Sequence, residues 1–364
     1  MSKAAELAAL IGSQTALSNR NLIINGAMQV AQRGTSATGV TSSDYYAADR
    51  WKIDYASAGT WTVSQSTTAP TGFANSFKMD CTTADASLSA GDALIFNQRI
   101  EGQNLQHLKK GTSDAESVTL SFWVRSSKTG TYIAELLDND NTRAYSQSYT
   151  ISSADTWEHK SLVYSGDTTG ALGNDNDLSL YVNFWLAAGT DFTSGTLATA
   201  WASKTDANRA VGQVNLADST SNEWYITGVQ LEVGEQATPF EHRSYGDELR
   251  RCQRYYVDIK FGLNEGPVYS PCRDAGYNHI RAAHVQYPVP MRATPTVSIQ
   301  SGSANSMDRV GRGQELCYPK ADNVYNTHFQ NIVKFTSAAQ TTTANWVDNG
   351  NYINRAGYKA DAEL

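Results

Sequence analysis

The sequence predicts an all-β protein, and three observations carry that prediction. Runs of alternating apolar and polar residues recur along the chain, as in strands that bury one face. Short clusters of Gly, Asn, Asp and Ser separate these runs, as expected for turns. Roughly ten such runs before residue 243 predict a jelly-roll or β-sandwich domain, and further runs predict a second, smaller β domain after it.

The first element is an exception to the β pattern. Apolar residues recur at helical spacing in residues 2–11, with Ser2 available as the N-cap and Gly12 as a stop, which predicts a short amphipathic helix. A helix this short is marginal in water. We therefore expect residues 1–20 to dock on another subunit or a neighbouring protein, with a frayed terminus as the alternative.

Two later runs alternate so strictly that they sort their side chains onto two faces. Residues 118–125 read VTLSFWVR and residues 178–186 read LSLYVNFWL. One face of each predicted strand is apolar and belongs in a core. The opposite faces combine aromatic rings with polar groups, and they carry Trp123, Arg125, Tyr181, Asn183 and Trp185.

This mixture is typical of a sugar-binding surface. A flat ring covers the C–H face of a sugar while an amide or guanidinium group bonds its hydroxyls. We expect the five side chains to lie together on one sheet surface as a candidate glycan site. Aromatic residues also favour strands for packing alone, so burial beneath a loop or in a subunit contact is the alternative.

The remaining segments complete the domain organisation. Residues 187–222 form a long, turn-rich stretch around Trp201, which predicts a functional or locally structured loop. Residues 244–256 are rich in charge and predict a short helix or connector with Ser244 or Asp247 near its start. The predicted domains are a docking segment at 1–20, a jelly roll at 21–243, a connector at 244–256 and a C-terminal β domain at 257–364.

Composition excludes several classes of protein. A net charge of −7 and a pI near 5.4 argue against a nucleic-acid partner. The N-terminus has no secretory signal pattern and no run of about 18 apolar residues occurs, so we expect no membrane insertion. The cysteines lack the spacing of a disulfide framework or zinc site, which predicts free thiols and folding in a reducing cytoplasm; they are Cys81, Cys252, Cys272 and Cys317.

Catalytic signatures are missing from the sequence. It contains no G-x-S-x-G elbow, H-E-x-x-H helix or phosphate-binding G-x-x-x-x-G-K-[ST] loop. Acidic residues cluster in two turns, at Asp138 and Asp140 and at Asp175 and Asp177. Such carboxylates serve glycoside hydrolysis or calcium binding in some proteins, but turn formation explains them more simply. We expect no enzymatic activity.

Several motifs together resemble structural proteins of tailed bacteriophages, particularly the tail fibre or fibre-like virion proteins of marine and cyanobacterial phages. The motifs are NLIINGAMQVAQRGT (21–35), AADRW (47–51), SFWVRS (121–126), YITGVQLEVGEQATPFEHRSYGDELRRCQRYY (225–256) and ADAEL (360–364). The resemblance runs through both predicted β regions.

The middle region is also similar to jelly-roll carbohydrate-binding modules, from ADRW to GVQLEVG. Such modules often hold a structural calcium between their first and last strands. That resemblance makes Asp49 and Glu232 the candidate calcium ligands, since calcium prefers several oxygen ligands. Salt bridges or caps are the alternative roles of both residues, and no other cofactor is expected.

The resemblances imply a non-enzymatic fibre or spike subunit of the virion, assembled in the host cytoplasm. We expect a homo-oligomer, most simply a trimer, that contacts other virion proteins through residues 1–20 and binds a host-surface glycan with its β domains. A protein that decorates the capsid or tail without touching the receptor is one alternative. An envelope polysaccharide depolymerase is another.

Overall fold

The computed structural model describes residues 19–259, 268–269, 272–273, 279–300, 306–309, 313–322, 324–335, 352–354 and 357–364. The chain forms two units: Met1–Glu248 with Leu364, and Leu249–Glu363. The predicted helix at residues 2–11, and residues 1–18 of the predicted docking segment, lie outside the described residues.

The first unit is built from strands β1 to β13. Their bounds are β1 Ser36–Val40, β2 Asp44–Tyr45, β3 Lys52–Ala56, β4 Thr60–Ser66, β5 Ser76–Thr83, β6 Ala93–Glu101, β7 Val118–Ser126, β8 Gly130–Asp138, β9 Arg143–Ile151, β10 Glu158–Tyr164, β11 Leu178–Ala188, β12 Ala202–Ser203 and β13 Glu223–Val233. Short 3-10 turns at Gly102–Asn104 and Gln106–Leu108 follow β6.

These strands form a jelly-roll β-sandwich, which confirms the predicted fold class. One sheet has six strands in the order β1-β4-β5-β13-β7-β10, and the other has seven in the order β12-β9-β8-β11-β6-β3-β2. Alternate residues of both sheets meet in one core. There the ring centroids of Phe122 on β7 and Phe184 on β11 lie 5.0 Å apart. Each fully buried side chain of this size contributes about 1.5–3 kcal/mol of folding free energy.

Strands β7 and β11 belong to different sheets of this sandwich. Their apolar faces meet in the core as predicted, so their opposite faces point away from each other. The expectation that Trp123 and Arg125 share one surface with Tyr181, Asn183 and Trp185 is therefore wrong. Alternation along a strand identifies its two faces, but it does not say which sheet the strand joins.

The turn-rich segment after β11 is locally structured. It contains helix α1 (Thr190–Thr193), strand β12 and two 3-10 turns at Asp206–Asn208 and Leu216–Asp218. Strand β12 pairs with the edge strand β9 of the seven-stranded sheet. We call residues 189–222 the strap, because they cover part of the outer face of that sheet.

Helix α2 (Tyr245–Gln253) is the charged helix that the sequence predicts between the β regions. The Ser244 hydroxyl accepts a hydrogen bond from the Asp247 backbone N–H at 3.2 Å, which caps the first turn. Acidic residues in the first turn and basic residues in the last complement the helix dipole.

The second unit is also made of antiparallel strands. These are β14 Tyr256–Ile259, β15 Val268–Tyr269, β16 Cys272–Arg273, β17 His279–Gln286, β18 Thr296–Gln300, β19 Ser306–Arg309, β20 Gly313–Asp322, β21 His328–Phe335, β22 Tyr352–Asn354 and β23 Gly357–Asp361. They form a three-stranded sheet, β14-β23-β18, and a seven-stranded sheet, β15-β22-β19-β20-β21-β17-β16. Val257, Tyr287, Met291, Tyr358 and Ala360 form a core beside the smaller sheet. The predicted limits of the domains, 21–243 and 257–364, stay a prediction.

Two cysteines have described side chains, Cys81 and Cys252, and both are buried free thiols. Burial raises the pKa of the Cys81 thiol to about 11, which keeps it in its unreactive protonated form. The part of the chain that the structure describes contains no helix long and apolar enough to cross a membrane.

Candidate functional site

Trp185 is buried on the outer face of the seven-stranded sheet. Its side chain is 0% exposed and packs with Ile95, Ile133 and Ala210 beneath the strap. Its indole N–H donates to Glu135 Oε2 at 3.3 Å, and the Arg209 guanidinium lies 5.0 Å from its ring centroid. Trp185 is therefore a packing residue here, and not an open platform for a sugar.

Glu135 organises this covered part of the face. Arg209 Nε and Nη2 donate to its two carboxylate oxygens at 2.8 and 2.9 Å, and Asn183 Nδ2 donates to Oε2 at 2.8 Å. Burial lowers the pKa of Arg209, but the Glu135 and Asp206 carboxylates together raise it more, so the guanidinium stays charged. Asn183 and Trp185 are thus held by a buried ion pair that fastens the strap to strand β8.

Sequence reasoning missed Glu135 and Arg209. The signal was present in each segment: Glu135 is the acidic residue in the apolar run YIAELL, and Arg209 is the arginine of the turn-rich segment 187–222. A charge in an apolar strand needs a partner. Nothing in the local pattern says that this partner stands 74 residues away.

In the seven-stranded sheet, polar residues of neighbouring strands lie directly opposite one another and form rows across the sheet. Lys52 on β3 is opposite Asn97 on β6, Asn97 is opposite Asn183 on β11, and Asn183 is opposite Glu135 on β8. In the next row, Arg99 is opposite Tyr181. The strap covers the Glu135 end of these rows, whereas the other end is more open.

The open end forms what we call the polar strip: Lys52, Asp54, Asn97, Arg99 and Tyr181. Tyr181 is half-buried, and the Arg99 guanidinium lies 5.0 Å from its ring centroid. Arg99 Nη2 donates to both Asp54 oxygens at 3.1 and 3.2 Å, and Asn97 Nδ2 donates to Asp54 Oδ2 at 2.8 Å. Burial, together with the charge of Arg99, lowers the pKa of Lys52.

Two buried atoms of the polar strip have no hydrogen-bond partner among the residues that the structure describes. They are Asn97 Oδ1, an acceptor, and Arg99 Nε, a donor. Arg99 Nη1 donates to the backbone oxygen of Leu364, which belongs to the same unit. A buried polar group without a partner costs about 1–3 kcal/mol. Hydroxyl groups can both donate and accept, so they match these two atoms.

The outer face of the six-stranded sheet is covered only in part, by residues 238–241 over one end of β13, and its aromatic side chains stay partly exposed. Trp123 on β7 is opposite His159 on β10, with ring centroids 5.2 Å apart. Arg125 lies over the ring of its cross-strand partner Tyr225 at 4.9 Å, and Trp157 meets the Tyr225 ring edge-on at 6.2 Å. We call these five side chains the aromatic shelf.

Glycine and ion pairs fix the shape of the aromatic shelf. Gly228 lies in a bulge of β13 with φ +62°, and a Cβ there would stand 3.1 Å from Trp123 Cδ1 and 2.6 Å from Phe73 Cζ. The absence of that Cβ lets both rings lie against the backbone. Arg125 is held by the Asp155 carboxylate at 2.9 Å.

Asp49 and Glu232 do not fit a shared calcium site. Asp49 is buried, and its two oxygens accept from the backbone N–H and side-chain amide of Gln32 at 2.9 and 2.5 Å. Glu232 accepts from the Thr238 N–H and hydroxyl at 2.8 and 2.6 Å and from Gln230 Nε2 at 2.8 Å. Donors that point at these oxygens occupy the positions a cation needs. Within the described residues no group of three or more His, Cys, Asp or Glu side chains could hold a metal ion.

The acidic turns also serve structure. Asp140 accepts from the Gly173 N–H at 2.8 Å, and Asp175 accepts from the Asp177 N–H at 3.0 Å, as turn residues do. Asp138 is buried against Lys110, whose ammonium lies 2.5 Å from Asp138 and 3.0 Å from Asp167. These carboxylates are neutralised or bonded by the protein itself.

Similarity of this chain to known proteins is confined to solved structures. No family model matches it, and no curated protein matches its sequence. It is similar to the enzymatically active domain of tailspike protein 4 of bacteriophage CBA120, at 17% identity and a TM-score of 0.30, over 59% of this chain and 22% of that one. The chain therefore spans less than a quarter of that domain.

Two carbohydrate-binding modules are similar as well. TmCBM61 in complex with β-1,4-galactotriose has 8% identity and a TM-score of 0.30, over 60% of this chain and all of the module. A family 11 module of Clostridium thermocellum with a β-1,3-1,4-mixed-linked tetrasaccharide has 9% identity and a TM-score of 0.29, over 56% and 99%.

Proposed function

We propose that the jelly-roll unit binds a glycan at the polar strip, without catalysis. The observation that carries this proposal is the half-exposed Tyr181 ring set among a guanidinium, a carboxylate and an amide on one sheet face. A sugar needs this pairing, since its ring has an apolar C–H face and its rim carries directional hydroxyls.

The unpaired atoms of the polar strip specify the contacts. A sugar hydroxyl that accepts from Arg99 Nε and donates to Asn97 Oδ1 satisfies two groups that the protein leaves unpaired. Both atoms are buried, so small side-chain shifts of Arg99 and Lys52 accompany binding. Asp54 holds Arg99 and Asn97 in place before the ligand arrives, which reduces the entropy lost on binding.

Binding, and not hydrolysis, suits the carboxylates of this unit. A glycosidase needs one carboxylic acid with a raised pKa and a second free carboxylate across the bond. Glu135 is bidentate to Arg209, Asp54 to Arg99, and Asp167 accepts from Arg143 at 2.7 and 3.0 Å. Burial raises the pKa of Asp167, but the hydrogen bonds from Arg143, Lys110 and the Thr169 N–H, with the charge of Lys110, lower it more.

The motif set that resembles phage fibre proteins extends the proposal to a biological setting. We infer a fibre or spike subunit of a virion, trimeric, attached to other virion proteins through residues 1–20 and displaying the sandwich to a host-surface glycan. Free buried thiols at Cys81 and Cys252 suit assembly in a reducing host cytoplasm. A decorating protein that binds no receptor and a depolymerase are the competing hypotheses.

Affinity electrophoresis tests the glycan proposal. The full chain is run through gels that contain soluble β-1,4-galactan, mixed-linkage β-glucan, xylan or bacterial lipopolysaccharide. We expect retardation in at least one gel and a loss of about 1–3 kcal/mol of binding free energy for Tyr181→Ala, as for other interfacial aromatic anchors. Tyr245→Ala, which removes a 57% exposed ring away from the strip, is the matched control. Equal migration of Tyr181→Ala and the control in the retarding gel contradicts the proposal, and release of reducing sugar supports the depolymerase.

A further inference from the structure

We propose that the aromatic shelf is a second glycan-binding surface, so that one sandwich holds two sugar chains on opposite faces. The proposal rests on the proposed function for the class of ligand, but it uses other residues on another sheet. It concerns Trp123, Arg125, Trp157, His159 and Tyr225.

The first argument comes from the tryptophan side chains. Trp51, Trp61 and Trp201 donate their indole N–H to backbone oxygens at 3.0, 2.7 and 2.8 Å. Trp123 and Trp157 are only half-buried, and neither indole N–H has a protein acceptor in the part of the chain that the structure describes. Two flat rings, each with an indole N–H that can donate to a ligand, therefore lie on the outer face of the six-stranded sheet.

The second argument is preorganisation of the shelf. Direct register sets His159 beside Trp123 and Arg125 beside Tyr225, and the Gly228 bulge seats Trp123 against the backbone. Four of these side chains lie on the neighbouring strands β10, β7 and β13, and Trp157 directly precedes β10, so the shelf is about 10 Å wide at the spacing of strands in a sheet. That width suits a short stretch of oligosaccharide, and a fixed shape spares the ordering entropy of binding.

The third argument favours a glycan over a second copy of the chain as the partner that binds the aromatic shelf. A stable subunit contact needs a large apolar centre. Among the described residues the exposed large hydrophobic side chains are Val163, Tyr245 and Tyr325, and Val163 alone of these lies on the six-stranded sheet. The shelf instead combines half-buried rings with the Arg125 guanidinium, the His159 imidazole and two indole N–H groups. The shelf therefore offers flat aromatic surface with hydrogen-bonding groups at its edge, which suits a sugar ring and its hydroxyls.

Paired variants test the shelf in the same four polysaccharide gels, with the full chain. The shelf variant is Trp123→Ala with Trp157→Ala, the strip variant is Tyr181→Ala, and the third protein combines them. We expect each of the first two to weaken binding by about 5- to 150-fold, and the combination to remove retardation, because two independent sites contribute avidity. Tyr245→Ala should migrate like the unmodified chain.

The outcomes separate the two proposals. If the shelf variant is retarded as strongly as a retarded unmodified chain, the shelf proposal is wrong, and the strip stands when Tyr181→Ala loses that retardation. If the strip variant migrates unchanged while the shelf variant loses all retardation, the strip proposal is wrong and the shelf stands. If the unmodified chain is retarded in none of the four gels, both are wrong.

Two further measurements guard against misfolding and against a subunit interface. If the double variant fails to fold, Trp157→Ala alone is used, and N-bromosuccinimide oxidation of the unmodified chain reports on Trp123 and Trp157. The retarding polysaccharide should slow the oxidation of both indoles at least several-fold. An unchanged rate of oxidation contradicts the proposal. Light scattering that shows the shelf variants dissociating an oligomer makes the shelf a subunit contact, which also overturns it.

Discussion

The two outer faces of the sandwich begin from similar sequence patterns and end in different environments. Strand β11 places Tyr181, Asn183 and Trp185 on the outer face of the seven-stranded sheet, and β7 places Trp123 and Arg125 on that of the six-stranded sheet. Trp185 is completely buried, whereas Trp123 remains half-exposed. The difference comes from the strap, which covers only one of the two faces.

The comparison shows that a distant segment decides the role of a strand residue. On the covered face, the Glu135 carboxylate holds Arg209 of the strap, and the Trp185 ring lies under that guanidinium. On the open face, Arg125 stacks on Tyr225 and pairs with Asp155, whose side chain is 55% exposed. The same pairing of guanidinium and aromatic ring thus fastens a loop on one side and leaves an accessible surface on the other.

The largest expected effect is a loss of stability in Trp185→Ala. The change removes a fully buried ring and the surface on which Arg209 rests, so we expect about 3–5 kcal/mol less free energy of unfolding. Trp123→Ala, the matched change on the open face, should cost about 1 kcal/mol because the ring is only half-buried. Urea unfolding monitored by circular dichroism measures both. Similar losses in the two variants would remove the distinction between the faces.

Next in size is the effect of Arg209→Ala. It leaves the Glu135 carboxylate buried without its cation, and we expect about 3 kcal/mol of destabilisation together with faster proteolysis within residues 189–222. Arg125→Ala breaks a partly exposed pair and should cost about 1 kcal/mol or less. Limited proteolysis with mass spectrometry locates the cleavage sites. Destabilisation without new cleavage in the strap would mean that Glu135 and Arg209 do not fasten it.

Features of the fold and the site that depend on residues close in sequence could be predicted, whereas features that depend on distant segments could not. Alternation in LSLYVNFWL predicts correctly that Val182 and Phe184 face a core, because side-chain direction along a strand is local. The capped helix α2 follows from local signals as well. The pairing of β11 with β6 and β8, and the cover over Trp185, depend on contacts between distant segments. Local pattern carries no information about those contacts, so the five predicted site residues were grouped wrongly.

The same limit applies to the candidate ligands of calcium. Asp49 and Glu232 lie at the ends of a resembling region, and their residue type suits the ion. Their actual partners are Gln32, 17 residues before Asp49, and Thr238, 6 residues after Glu232. Turn and strand-end hydrogen bonds of this kind compete for carboxylates, and they are decided by loop geometry that the sequence alone does not specify.

The smallest expected effect is a change in the titration of His159 on the open face. Partial desolvation of the imidazole, which packs against the Trp123 indole, lowers the pKa of His159 below its usual value. The native state therefore prefers the neutral ring. Above a pH of about 6.5, His159 is neutral in both the native and the unfolded state, so it does not affect the free energy of unfolding. As the pH falls below that value, the unfolded chain takes up the proton first, and a little stability is lost until the native His159 is protonated as well.

The imidazole C–H signals of His159, followed by NMR between pH 4 and 8, measure the midpoint of its titration directly. Trp123→Ala should return it toward the usual value because water regains access to the ring, and a polysaccharide bound on the aromatic shelf should lower it further by excluding water. A midpoint that Trp123→Ala leaves unmoved would show that the indole does not desolvate His159.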